Sequence, residues 1–233
     1  RADAPMQLPL LALVVSGGHT HLYLAEQAAN DTWSYRNVGR TVDDAAGEAY
    51  DKVAKLLGLG YPGGPWLDAL APHGNPQAVP FAFSPIKTRA AKAAHAEQNS
   101  AAAKKGTASF AAQSQRTGAQ ERTFDFSFSG IKTAVRRYVE THDMREGIEH
   151  RQAALAASPH LKPQSPEAAK LCDRQTLDLI ASFQHAVVGN LLRQTFAAAE
   201  AFAARGIVVS GGVAANRELR SRFQSEADRR GLP

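Results

Sequence analysis

The sequence is short of the features that mark secreted and membrane proteins. It has a single cysteine, Cys172, which excludes an internal disulfide framework. Charged residues, Gly or Pro interrupt every hydrophobic stretch, so no apolar run approaches the roughly 20 residues that a membrane span needs. Nothing near the start resembles a signal peptide. We therefore expect no membrane insertion and a reducing, cytoplasmic setting.

The sequence also lacks an initial Met, since it opens at Arg1 and stops at Pro233 just after a helical pattern. Both ends are therefore expected to be cuts in a longer parent protein. With 44% apolar side chains over 233 residues, the chain can bury one substantial core, and one or two domains fit this length.

The net excess of positive charge lies in one segment. The formal net charge is +5, and residues 87–122 hold seven basic and two acidic side chains, so this segment carries the whole excess. The segment is rich in Ala, Ser, Gln and Lys, with few large apolar residues that could join a core. We expect it to be a mobile, basic, low-complexity surface insertion. The basic residues are Lys87, Arg89, Lys92, Lys104, Lys105, Arg116 and Arg122.

The first part of the chain predicts a hairpin, a third strand and a helix. Residues 10–25 read as two strands joined by a Ser-Gly-Gly turn, and Trp33 to Arg40 offers another strand. Residues 41–44 provide a capping signal for a helix that ends near Gly58. The opposite face of this helix carries Asp44, Glu48, Asp51 and Lys55, and its apolar face consists of Ala46, Ala49, Tyr50, Val53, Leu56 and Leu57.

The second part continues the alternation of strands and helices. Phe124, Phe126 and Phe128 alternate with polar residues as in a half-buried strand, and a helix follows near Ile131 to Glu140. A further helical pattern runs from Ser165 to Ala204, with a break inside it. A short buried strand over 207–209, a Ser-Gly-Gly turn and a helix from Asn216 to Arg230 end the chain. The sequence therefore predicts an α/β fold.

Five residues occur twice. Val14 to Gly18 and Val208 to Gly212 both read VVSGG, so two buried strands end in the same glycine turn. A turn without side chains lets backbone N–H groups approach an anion, and a nearby helix N-terminus adds the positive end of its dipole. One ligand contacted by both turns is the functional interpretation. The alternative is that VSGG is only a common strand-to-turn pattern.

Four segments, in the same order, resemble the TsaD (Gcp) family. They are VVSGGHT (14–20), TVDDAAGEAYDKVAKLLGLGYPGGP (41–65), DFSFSGIKT (125–133) and VVSGGVAANRELR (208–220). Four separated matches in order are far more specific than any single glycine motif.

The resemblance implies an actin-like (ASKHA) fold with two α/β lobes around a nucleotide cleft, of which this chain would form mainly the second lobe. It implies binding of threonylcarbamoyl-adenylate and transfer of the threonylcarbamoyl group to N6 of adenosine 37 in tRNA. TsaB-like and TsaE-like proteins would be partners. The family also holds Fe²⁺ or a similar divalent metal. Its His-x-x-x-His motif and distal aspartate have no counterpart in this chain, so the metal ligands are expected outside it, and the fragment alone is expected to be inactive.

The resemblance also implies which residues bind the substrate, while the catalytic residues stay unassigned. The residues that match are Val14, Val15, Ser16, Gly17, Gly18, Asp51, Gly64 and Asn216, with His19 and Asp68 as additional candidates. Archaeal relatives place a tyrosine metal ligand at the position of Val14, whose aliphatic side chain cannot coordinate a metal.

Three of the matching residues also have a purely structural interpretation. Asp51 could belong to a solvated helix face and pair with Lys55 at i, i+4. Gly64 could be required by its turn, and Asn216 could simply cap the last helix. Ser129 and Lys132 are weaker candidates, with capping and solvent exposure as their default interpretations.

His19 and His21 lie on one face of a strand by alternation, which permits a two-histidine metal site. The sequence shows no third ligand, so a polar histidine at the border of the cleft is the favoured interpretation.

Two other functions compete with acyl transfer. An actin-like ATPase or sugar kinase would share glycine turns and lobes, but DFSFSGIKT and YPGGP argue against it. A non-catalytic TsaB-like scaffold would not need Asp51, Gly64 and Asn216. A metallopeptidase has no support, because the chain contains no HExxH motif.

Overall fold

The computed structural model describes residues 7–27, 32–83 and 124–233, which form a four-stranded mixed sheet with helices. The strands are β1 (Leu10–Val15), β2 (Thr20–Gln27), β3 (Trp33–Arg40) and β4 (Gly206–Ser210), in the spatial order β3-β2-β1-β4. β2 is antiparallel to both β1 and β3, whereas β4 is parallel to β1. The predicted hairpin, third strand and final strand are thus confirmed.

The hairpin follows from the alternation of its side chains. Leu11, Leu13 and Val15 of β1 are fully buried, as are Leu22 and Leu24 of β2, whereas the residues between them are mostly half-buried. This period of two directs one face of the sheet into the core.

Seven helices follow in the described residues. They are α1 (Ala46–Leu56), α2 (Gly63–Leu70), α3 (Ser129–Thr141), α4 (Arg145–Ala157), α5 (Pro166–Lys170), α6 (Arg174–Ala201) and α7 (Arg217–Arg230). Short 3₁₀ turns occupy Ala71–His73 and Gly212–Ala215. None of the helices in these ranges is long and apolar enough to cross a bilayer.

Local signals account for most helix boundaries. The break predicted within 165–204 is confirmed between α5 and α6, where the Asp173 side chain accepts a hydrogen bond from the Thr176 N–H and begins α6. Gly231, at φ 66°, ends α7 in the left-handed conformation that glycine tolerates. The apolar face of α1 is buried as predicted, apart from Leu56, which is only half-buried.

The predicted start of α1 is wrong by a few residues. Residues 41–44 form a turn closed by the Thr41 hydroxyl, which donates to the Asp44 carbonyl. The helix begins at Ala46, and the Ala46 N–H donates to the Thr20 hydroxyl of β2 at 2.9 Å. The free N–H at the start of the helix is therefore hydrogen-bonded by a side chain distant in sequence, and a local capping signal does not reveal such a partner.

The predicted strand at Phe124 to Phe128 is also wrong. Only Phe126 forms an isolated bridge, to Thr41, although backbone hydrogen bonds tie Phe124 and Phe126 to Val38 and Arg40. All three phenylalanines are nevertheless buried, because their rings pack into the core although the backbone forms no regular strand ladder. The predicted insertion at 87–122 lies outside the described residues.

Candidate functional site

The two VSGG copies lie side by side. Because β1 and β4 are parallel neighbours, with Val14 opposite Ser210, both strands deliver their glycine turns to the same edge of the sheet. The sequence echo therefore corresponds to two adjacent turns, as one shared ligand would require.

The first turn leaves its backbone open. The Ser16 N–H donates to the His19 carbonyl at 2.8 Å, and the His19 N–H donates to the Ser16 hydroxyl at 3.1 Å. A Cβ added to Gly17 or Gly18 would meet nothing within 4 Å. Packing does not require glycine at these two positions, but side chains there would cover the backbone that a ligand can approach.

The two glycines of the second turn have different surroundings. Gly211 has φ 103°, and a Cβ on it would lie 2.3 Å from the Val15 carbonyl oxygen. No other residue fits there without a backbone shift. Gly212, in contrast, faces open space.

Helix α1 begins directly on the first turn. The Gly47 N–H donates to the Ser16 carbonyl at 3.1 Å, and a Cβ on Gly47 would stand 2.6 Å from the same oxygen. Glycine at this position lets the positive end of the α1 dipole come close to the turn.

An open cavity of about 510 Å³ lies beside the turns. It brings together Gly17, Asp51, Gly64, Asp68 and Asn216 from the sequence-predicted set. Val14, Val15, Ser16, Gly18 and His19 do not line it, and Val15 is fully buried in the core. The remaining lining residues are Gly47, Tyr50, Tyr61, Pro62, Pro65, Gln164, Gly212, Val213 and Ala215.

Asp51 supports the neighbouring helix. Its Oδ1 accepts a hydrogen bond from the Gly63 N–H, the first residue of α2, at 2.7 Å. Among the described residues, the ion pairs of α1 join Lys52 to Asp44 and Glu48, and the predicted Asp51–Lys55 pair is not formed. Within the same part of the chain, no donor reaches Oδ2 of Asp51, and the residue lines the cavity.

Gly64 is not required by its turn. A Cβ at Gly64 would meet nothing within 4 Å, whereas one at Gly63 would lie 2.6 Å from the Ala54 Cβ. The structural requirement therefore falls on Gly63, and Gly64 lines the cavity.

Asp68 and Asn216 are engaged by the protein itself. Asp68 accepts hydrogen bonds from the backbone N–H and the Nε of Arg217, both at 3.0 Å. Asn216 caps α7 by accepting from the Leu219 N–H at 2.9 Å, and its Nδ2 donates to Gln184 Oε1 at 2.8 Å. The predicted capping role of Asn216 is confirmed, and its side chain is 7% exposed at the cavity wall.

Sequence reasoning missed two tyrosines at this cavity. Tyr50 was assigned only to the apolar face of α1, yet its buried hydroxyl has no hydrogen-bond partner among the described residues. Burial raises the pKa of Tyr50 well above its ordinary value, and the charges of Glu218 and Asp68 add to this, so the hydroxyl stays protonated. Tyr61 is 85% exposed at the rim, and its place in a Gly/Pro turn was the available signal.

Ser129 and Lys132 belong to a separate polar cluster. Asp43 accepts hydrogen bonds from the Phe128 N–H at 2.8 Å, from the Ser129 hydroxyl at 2.7 Å and from Ser127. Burial acts to raise the pKa of Asp43, but these hydrogen bonds outweigh it and the pKa is lowered. Lys132 lies 3.9 Å from Asp44. The cluster fastens the start of α3 to the loop before α1.

His19 and His21 are neighbours with ring centroids 5.5 Å apart. Burial lowers the pKa of His21, and the charges of His19 and Arg40 lower it further. Nowhere in residues 7–27, 32–83 and 124–233 do three His, Cys, Asp or Glu side chains cluster as metal ligands. The described residues therefore do not by themselves fit the divalent metal that the resemblance implies.

The chain is similar to known proteins over nearly its whole length. The sequence model of the family described as "TsaD: tRNA N6-adenosine threonylcarbamoyltransferase" matches residues 1–123 and 95–233. A protein named tRNA N6-adenosine threonylcarbamoyltransferase from Koribacter versatilis is 54% identical over 98% of the chain and 54% of its own length. Relatives of the same name from Trichlorobacter lovleyi and Symbiobacterium thermophilum are 40% and 38% identical, over 97% and 99% of the chain. The chain spans about half the length of these relatives.

Proposed function

This chain belongs to the TsaD family of tRNA N6-adenosine threonylcarbamoyltransferases, and we propose that the protein carrying it transfers the threonylcarbamoyl group of threonylcarbamoyl-adenylate to N6 of adenosine 37 in tRNA. One observation carries the proposal. A single cavity gathers Gly17, Asp51, Gly64 and Asn216, which come from three of the four family-like segments. The glycine turns on neighbouring parallel strands border the same space.

The cavity supplies complementary groups for the adenylate. The open backbone at Gly17 and Gly212, together with the N-terminus of α1, suits the acyl-phosphate portion. Asp51 can accept a ribose hydroxyl through Oδ2 while Oδ1 holds α2. The protonated Tyr50 and the capping Asn216 form the wall behind it. These contacts hold the ligand by its nucleotide end.

The proposed reaction is an acyl transfer. The N6 amine of adenosine attacks the carbamoyl carbon, a new C–N bond forms, the bond to the phosphate oxygen breaks, and AMP leaves with the electron pair while the amine loses a proton. The glycine turns stabilise the phosphate of the departing AMP through backbone N–H groups. We assign no proton acceptor among the residues of this chain, so the catalytic residues stay open.

We further propose that the chain forms mainly the second lobe of an actin-like fold. The mixed sheet, with its antiparallel hairpin strands beside a parallel pair, supports this assignment. The divalent metal of the family is proposed to draw its ligands from outside this chain, and no step here depends on it. TsaB-like and TsaE-like partners and a cytoplasmic location complete the proposal. Neither the kinase nor the scaffold alternative has an observation that favours it.

The test uses the full-length protein that contains this chain. It is incubated with threonylcarbamoyl-adenylate and unmodified tRNA, and modified adenosine is measured. The methyl group that Gly17→Ala adds meets no protein atom within 4 Å, so the variant should fold, but the methyl group lies where the ligand must approach. A displacement of the ligand by about 1 Å can cost on the order of a hundredfold in rate.

Gly130→Ala is the matched control, because its Cβ also meets nothing within 4 Å and it lies outside the cavity. We expect Gly17→Ala to lose activity and Gly130→Ala to keep it. No modified adenosine from the wild-type protein, or equal activity in both variants, would overturn the proposal.

A further inference from the structure

A second groove adjoins the cavity. It has a volume of about 660 Å³ and runs between residues 60–66, around the start of α2, and residues 155–164, at the end of α4 and beyond it. Tyr61, Pro62, Pro65 and Gln164 line both the cavity and this groove. A ligand that enters the cavity can therefore continue into the groove, which we call the tyrosine groove.

An exposed aromatic ring stands at the junction. Tyr61 is 85% exposed, the largest exposed fraction among the large apolar side chains of the described residues. Its turn is rigid, because Pro62 and Pro65 flank the short glycine pair and restrict the backbone. A ring held in water by a stiff turn is a platform on which a planar group can stack at little entropic cost.

The groove is lined by basic side chains and by no acidic ones. Lys162 and His160 line it, and its lining residues include no Asp or Glu. Lys162 and His160 are both exposed, and neither forms an ion pair within the part of the chain that the structure describes. The groove therefore offers an uncompensated cation beside an aromatic ring.

We propose that the tyrosine groove binds the single-stranded RNA next to the nucleotide that enters the cavity, with a base stacked on Tyr61 and a phosphate held by Lys162. Stacking of bases on aromatic rings beside basic groups is the usual way in which proteins hold unpaired RNA. The continuity with the cavity favours RNA over a protein partner, because the acceptor nucleotide and its neighbour belong to one strand. This inference rests on the proposed function.

The experiment measures the affinity of the full-length protein for an unmodified anticodon stem-loop RNA, and separately for AMP. Tyr61→Leu keeps an apolar side chain but removes the ring, and Lys162→Gln removes the charge. Because both side chains are exposed, folding should be retained. Controls of the same chemistry outside the groove are Tyr35→Leu, at a side chain 69% exposed on β3, and Lys170→Gln at the end of α5.

We expect Tyr61→Leu to weaken RNA binding roughly fivefold to a hundredfold, which is the range for one stacked base. Lys162→Gln should lower the slope of log affinity against log salt by about 0.7, the value for one single-strand phosphate contact. Lys162→Gln should leave AMP affinity unchanged, and both controls should match the wild type.

Three results would overturn the inference. The first is RNA affinity unchanged in both groove variants, including the case where only binding of a partner protein is lost. The second is an equal loss of RNA and AMP affinity in Tyr61→Leu, which would place Tyr61 in the adenylate cavity alone. The third is an equal loss of RNA affinity in the controls. A wild-type protein that binds neither AMP nor RNA would instead refute the proposed function.

Discussion

The carboxylate of Asp51 offers a test in which stability and binding should separate. Its Oδ1 accepts the Gly63 N–H at 2.7 Å, whereas Oδ2 has no donor among the described residues and the side chain lines the cavity. In Asp51→Asn the amide oxygen can keep the bond to Gly63, so the NH₂ group takes the place of Oδ2. The substitution therefore turns the ligand-facing atom from an acceptor into a donor.

The two effects differ in size. Loss of negative charge near the N-terminus of α2 should cost about 0.3–1 kcal/mol of folding free energy. Loss of a charged acceptor from a hydrogen bond to the ligand costs about 1.5–3 kcal/mol, or roughly tenfold to a hundredfold in affinity. Asp51→Ala removes both functions and should cost about 0.5–2 kcal/mol of stability, as capping residues do.

The assay is calorimetric titration of AMP into the full-length protein, with urea unfolding of the same samples. Asp44→Asn is the matched control, since Asp44 lies just before α1 and pairs with Lys52 at 2.7 Å outside the cavity. We expect Asp44→Asn to bind AMP like the wild type. The reasoning fails if Asp51→Asn also binds like the wild type, or if its loss of affinity is matched by Asp44→Asn.

Three other predictions concern stability and charge. Tyr50→Phe removes a buried hydroxyl that has no partner among the described residues, so the unfolding free energy should stay unchanged or rise by up to about 1 kcal/mol, and a clear fall of that free energy in urea unfolding would contradict this. Hydrogen bonds lower the pKa of Asp43 in the folded state, so its contribution to folding stability is present above its ordinary pKa of 3.8 and is lost as pH falls through the folded value. Asp43→Ala should therefore destabilise the fold by about 1–2 kcal/mol near pH 7 and by less near pH 3. Deletion of residues 87–122 should leave the thermal midpoint nearly unchanged and weaken salt-sensitive RNA binding, since it removes the formal +5; unaltered RNA affinity would place the basic surface elsewhere.

Local pattern determined much of the fold. The alternation of Leu22 and Leu24 with polar neighbours predicts β2, and the helical spacing around Val53 predicts α1, because periods of two and of about 3.6 report directly on which side chains are buried. The same local information indicated a break within 165–204, which the structure places before Asp173, and the cap at Asn216. The motif segments in their order were sufficient to identify the family.

What the sequence by itself could not decide depends on groups distant along the chain. The two VSGG turns become neighbours because β4 pairs in parallel with β1, and the N–H of Ala46, where α1 begins, has its partner in the distant Thr20. Likewise, Asp51 reaches Gly63, so the residue that looked like a solvated helix face supports the next helix. A sequence pattern specifies which face of an element is buried, but the partner of each polar atom at an element's end is chosen by tertiary packing, since those atoms have no partner within their own helix or strand.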